Sequence, residues 1–148
     1  MRKQKQKGFT LLEVMVVVVI LGIMAAMVVP NLLGNVDVAD QNKAVTDISQ
    51  IETTLERYRM DNRVYPSVDQ GLDALTAKPT SGPEPRNYPS EPYLRRLPND
   101  PWGNPYVYVY PGEKNANSYD VYTLGADGQE GGEGINADIG NWNLQDFL

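Results

Sequence analysis

The chain has 148 residues, about the length of one ordinary domain. It carries thirteen Lys and Arg against nineteen Asp and Glu, a net charge of -6, and neither Cys nor His. Those two absences exclude thiolate nucleophiles, disulfides, His general bases and Cys/His zinc sites. The acidic balance argues against nucleic acid as a partner. Mean hydropathy is -0.42, ordinary for a soluble protein, but charge and hydrophobicity are both segregated along the chain.

The first eight residues hold four cations (Arg2, Lys3, Lys5, Lys7) and no acid, and the next stretch, Phe9 to Pro30, reads FTLLEVMVVVVILGIMAAMVVP. A bilayer core asks for about 20 apolar residues in a helix, which this run supplies if Glu13 is tolerated. The basic flank places the N-terminus in the cytoplasm. Three readings compete: a secretory signal peptide, a plain membrane anchor, and a leader processed at Gly8-Phe9 before the apolar run. The first is weakened because the run exceeds the ~7–15 residues of a signal peptide and Met24-Ala25-Ala26-Met27 is a poor cleavage match. A carboxylate inside a bilayer segment costs at least ~2.5 kcal/mol, so Glu13 needs a partner, a function or a place at the interface near the helix start.

GFTLLEVM, after a short basic leader and before a Val/Ile/Leu run, resembles the signal of type IV pilin-like proteins. The resemblance implies that a prepilin peptidase cuts between Gly8 and Phe9 and methylates the new N-terminal Phe9. Glu13 then pairs with the N-terminal amine of a neighbouring subunit. Two charges that are costly singly in lipid are tolerated as a pair.

Beyond Pro30 and Gly34 a helical pattern resumes. Ala44, Val45, Ile48, Ile51, Leu55 and Tyr58 recur at steps of three and four, with charged residues on the other faces. This predicts an amphipathic helix from about Val36 to Asn62, its stripe facing a core. Residues 69–75 predict a short helix with Leu72 and Leu75 inward. Nine of the eleven prolines lie between Pro79 and Pro111, which makes this segment loop or extended chain. Residues 106–110 and 119–124 alternate with period two and predict a hairpin closed by the loop from Pro111 to Ser118. A third short strand is predicted through Asn141-Trp142-Asn143.

MDNRVYPSVDQGLDAL, RNYPSEPYLRRLPNDPWGNPY and LGADGQEGGEGINADIGNW together resemble the major pseudopilins of the type II secretion system, over nearly the whole chain. The implied fold is pilin-like α+β, a long N-terminal helix packed on a small C-terminal antiparallel sheet. Residues 1–8 form a cleaved leader, 9–30 a transmembrane and fibre-core helix, and 31–148 a periplasmic domain. The implied function is that of a structural subunit. It is held in the inner membrane by one span and polymerises into a periplasmic pseudopilus that drives folded proteins through the outer membrane. The implied partners are copies of itself, minor pseudopilins, the prepilin peptidase and an inner-membrane assembly platform. The alternative from the leader alone is a type IV pilin for adhesion, motility or DNA uptake. Such pilins usually carry a C-terminal disulfide, and this chain has no Cys. An enzyme is not expected: with His and Cys absent, no nucleophile motif or phosphate loop is recognisable.

The loop from Leu124 to Asp138 holds four acids, one Asn and five glycines. By composition alone it reads first as a solvated turn, and its spacing is not an EF-hand. The family resemblance implies a calcium site instead, with Asp127 and Asp138 as carboxylate ligands and Leu124 and Gln129 as backbone carbonyl donors. Members with a shorter loop place two adjacent Asp before Ile-Gly-Asn-Trp; here the pair is Ala137-Asp138. Glu133 or Asn136 is therefore expected to supply the lost oxygen. Asp40 or Asp47 facing Arg86, Arg95 or Arg96 is the guess for contacts between subunits.

Overall fold

A computed structural model describes residues 9–148, apart from the side chains of residues 27–35. The leader, with Gly8, lies outside that range. The chain divides into two compact units, one ending at Asp37 and the other spanning Val38–Leu148.

The first unit is helix from Leu11 onward. α1 spans Leu11–Asn62, so its backbone is helical through Gly22 and Pro30 and on into the second unit. Thr10 starts it: the Glu13 N–H donates to the Thr10 hydroxyl at 3.2 Å and to its carbonyl at 3.1 Å. That is the Thr-x-x-Glu arrangement of a helix N-terminus, which also sets an acid near the positive end of the helix dipole. The β-branched run Val16–Ile20 has weak helix propensity, yet it forms helix here. Its exposure is the notable feature. Phe9, Leu11 and Leu12 are 75–83 % exposed, and every large apolar side chain from Val14 to Met24 is at least 50 % exposed. Among the described residues no helix is long and apolar enough to cross a membrane. The side chains that finish the apolar run, from Met27 to Pro30, are outside that description.

The second unit has a core. The predicted stripe is buried at all six positions, Ala44, Val45, Ile48, Ile51, Leu55 and Tyr58. α1 stops where Asn62 turns inward. Its amide donates to the carbonyl of Tyr58 and the hydroxyl of Tyr93, and its oxygen accepts from the Asn87 N–H. Arg63 then takes the left-handed conformation, with φ 69°. The short helix at Leu72–Leu75 is 3-10, and Leu72 and Leu75 are buried as the spacing predicts. The proline-rich segment runs as turns and bends, with one bridge between Asn99 and Pro105.

The sheet has three antiparallel strands in the order β1 (Val107–Val109), β2 (Asp120–Thr123), β3 (Ile139–Gly140). Tyr108 faces Val121, and Thr123 faces Ile139. Val121 and Ile139 are wholly buried and join the helix stripe in one core. The hairpin lies where the alternation predicts it, one residue shorter at each end. The third strand is a correction: it occupies Ile139–Gly140, and Asn141–Asn143 form a turn. The Asn141 N–H still donates to the Val121 carbonyl at 3.0 Å, but side chains supply the other bonds there. Asn141 Oδ1 accepts from the Val121 N–H and its amide donates to the Tyr119 carbonyl, while Asn143 Oδ1 accepts from the Gly140 N–H. Trp142 leaves the strand direction and sits 5.4 Å from the Tyr122 ring.

Candidate functional site: the glycine-rich acidic loop

Between β2 and β3 the chain makes an excursion from Leu124 to Asp138, and all five of its glycines have positive φ. Two of them are required by close approach. A Cβ on Gly125 would stand 2.7 Å from the carbonyl carbon of Asn136, and one on Gly132 would stand 2.5 Å from its oxygen. The loop is thus folded onto the Asn136 peptide group, and the Ala126 N–H donates to the Ile135 carbonyl at 2.9 Å.

The two expected carboxylates stand differently. Asp127 is exposed and Oδ1 accepts from the Gln129 N–H at 3.1 Å, an Asx turn. Asp138 is half-buried. Its Oδ2 accepts from the Gly131 N–H at 2.9 Å, and Oδ1 is buried without a partner. A carboxylate oxygen buried unpaired is costly, and a cation is the natural remedy. Asp138 lines a cavity of about 130 Å³ with Val109, Glu113, Lys114, Asp120, Tyr122, Glu130 and Trp142, so one cation, Lys114, stands among its four carboxylates. Asp120 is already used there, accepting from the backbone N–H groups of Lys114 and Asn115. The Tyr122 hydroxyl registers the negative field: burial raises its pKa first, then the carboxylates of Glu130, Glu113, Asp138 and Asp120 raise it further.

Among the expected donors, Asp138 alone lines this cavity; Asp127, Leu124, Gln129, Glu133 and Asn136 do not. Glu130, which sequence reading passes over, does. The signal for it is local: Asp138 holds the N–H of Gly131, so the residue before Gly131 is carried to the same place. Among the described residues no three carboxylates stand close enough to hold an ion together. The donor set still fits calcium in kind: acidic oxygens, an orphaned buried oxygen, and glycines that let carbonyls turn.

Outside the loop, Asp47 does not present a free charge. Its Oδ2 accepts from Lys43 Nζ and from the Tyr106 hydroxyl, both within the chain.

Comparisons with known proteins show the family of the chain. Residues 31–142 match the family described as type II secretion system (T2SS), protein G, and residues 3–29 match the prokaryotic N-terminal methylation motif. The chain is 66 % identical over 146 residues to the type II secretion system core protein G of Vibrio cholerae, covering 99 % of this chain and 98 % of that one. It is 53 % identical over 140 residues to the Escherichia coli core protein G, covering 95 % and 93 %. The crystal structure of the major pseudopilin from the type 2 secretion system of enterohaemorrhagic E. coli superposes with a TM-score of 0.66 at 49 % identity, over 78 % of this chain and 97 % of that one. The choice left open by the leader motif falls to the pseudopilin side: the chain belongs to the protein G family of the type II secretion system, the major pseudopilins.

Proposed function

We propose that this chain is the structural subunit of a periplasmic pseudopilus, and that it works by assembly rather than catalysis. The observation that carries the reading is the helix from Leu11 to Met24, whose apolar side chains stand at least half exposed all round. Such a surface must be covered, either by lipid or by apolar helices of other copies. The precursor inserts with its basic leader in the cytoplasm and the Val38–Leu148 unit in the periplasm. A prepilin peptidase cuts between Gly8 and Phe9 and methylates Phe9. Subunits then leave the bilayer and stack their helices into a filament core, through head-to-tail contacts that do not close on themselves. Minor pseudopilins and an inner-membrane assembly platform are the further partners.

Glu13 drives registration. It sits at the third position of α1, one turn from the new amino terminus, and a neighbour's amine is the charge that offsets it in an apolar surround. The test is Glu13→Ala in the native host. Processing and insertion proceed, shown by mass spectrometry of an N-methylated Phe9, while filament yield falls at least about tenfold, the size of an effect worth ~1.4 kcal/mol. Normal yield removes Glu13 from assembly, and an intact Met1 removes the processing step.

The acidic loop is read as a calcium site. Asp138 and Asp127 would hold the ion through carboxylates, Leu124 and Gln129 through backbone carbonyls, and Glu133 and Asn136 remain the candidates for the oxygen that Ala137 lacks. Glu130 joins them because it shares the cavity of Asp138. Bound calcium supplies positive charge that ties the loop to the last strand and stabilises the fold by mass action.

A further inference from the structure

The loop has a tie to α1 that neither composition nor the calcium reading uses. Gln41 Nε2 donates to the Gly134 carbonyl at 2.8 Å, across 93 residues of sequence. Gln41 is half-buried, and one turn further on Ala44 and Val45 are buried in the core, so its backbone is held in place. The other end is not self-supporting. Gly134 opens a three-residue 3-10 turn, Gly134–Asn136, and its carbonyl also accepts from the Ala137 N–H at 3.2 Å. That turn sets where Asn136 presents its carbonyl and where Asp138, two residues on, enters the cavity.

From this geometry we infer that Gln41 is a positioning residue that pre-orders the acidic loop for its cation and, in return, senses the loop's ion state in α1. The inference rests on the calcium reading of the loop. A segment with five positive-φ glycines has much backbone freedom to lose when it closes on an ion. A donor fixed on a packed helix removes part of that loss beforehand, so affinity rises without any contact to the ion. Linkage makes the effect reciprocal: an ion that orders the loop also strengthens the bond to Gln41.

The experiment uses the full chain in detergent micelles, titrated with calcium chloride and followed by melting temperature, with wild type beside Gln41→Met. Methionine keeps the length and packing but has no donor. The expected result is a calcium midpoint about fivefold higher in Gln41→Met, the size of one hydrogen bond, with a fall in melting temperature that is smaller in EDTA than in calcium. Hydrogen exchange over residues 38–44 slows with calcium in wild type and not in the variant. An unchanged midpoint in a wild type that responds to calcium overturns the role of Gln41 alone. A drop in EDTA as large as the drop in calcium also overturns it, because the contact is then merely structural. A wild type indifferent to calcium overturns the calcium reading and this inference together.

Discussion

Changing Asp138 to Asn separates the cost of this side chain from its use. Without an ion, Oδ2 is satisfied by the Gly131 N–H and Oδ1 is buried with no partner, in a cavity shared with Glu130 and Glu113. Leaving such an oxygen unpaired costs about 1–3 kcal/mol. Asn keeps one oxygen for Gly131 and puts a donor, without negative charge, where the orphan stood. In EDTA, Asp138→Asn should therefore stabilise the chain by about 1 kcal/mol, a rise of roughly 3–5 °C for a unit of this size. In calcium at about a hundred times its dissociation constant, wild type gains ~2.7 kcal/mol, roughly 10 °C, and the variant loses most of that gain. The two proteins should change order between the two buffers. Tryptophan fluorescence during thermal unfolding reads this directly, since Trp142 lines the cavity. A variant that melts below wild type in EDTA and keeps the full calcium shift refutes both the orphan-oxygen argument and the role of Asp138.

Three further outcomes follow from the packing and the loop. Leu55→Ala, at a wholly buried position of the helix stripe, should cost about 2–5 kcal/mol in denaturant unfolding, and a cost under about 1 kcal/mol would contradict the core described. Gly132→Ala, at φ 90° with its Cβ 2.5 Å from the Asn136 oxygen, should lower stability by about 1–3 kcal/mol and abolish the calcium shift; an unaltered shift speaks against the folded loop. The tyrosines predict alkaline unfolding. Burial first, then the Asp61 carboxylate, pushes Tyr93 up to about 12, and burial likewise raises Tyr106, Tyr108 and Tyr119. The folded state holds these protons more tightly than the unfolded chain does. Their stabilisation is therefore complete below the ordinary tyrosine value of about 10 and is lost as pH climbs beyond it. Tyrosinate absorbance and circular dichroism should change together above that point. Free titration of these four tyrosines near pH 10 with the fold intact would refute it.

Much of the fold was legible because periodic burial leaves a periodic sequence. The stripe from Ala44 to Tyr58, the inward Leu72 and Leu75, and the hairpin were all visible as spacing. The third strand was misplaced because Asn141 and Asn143 bond through their side chains, and no alternation of hydrophobicity records that. The bond from the Tyr106 hydroxyl to Asp47 was not legible, because the two residues stand 59 positions apart.

The sequence by itself carried the N-terminal methylation motif, since a basic leader, GFTLLEVM and a Val-rich run are consecutive residues. Which acids of the loop line one cavity was decided only by tertiary structure. Asp138 and Glu130 meet because Asp138 captures the Gly131 N–H, and Gln41 reaches Gly134 because a packed helix runs past the loop. Contacts of that kind arise from how the chain folds back on itself, and spacing along the sequence does not encode them.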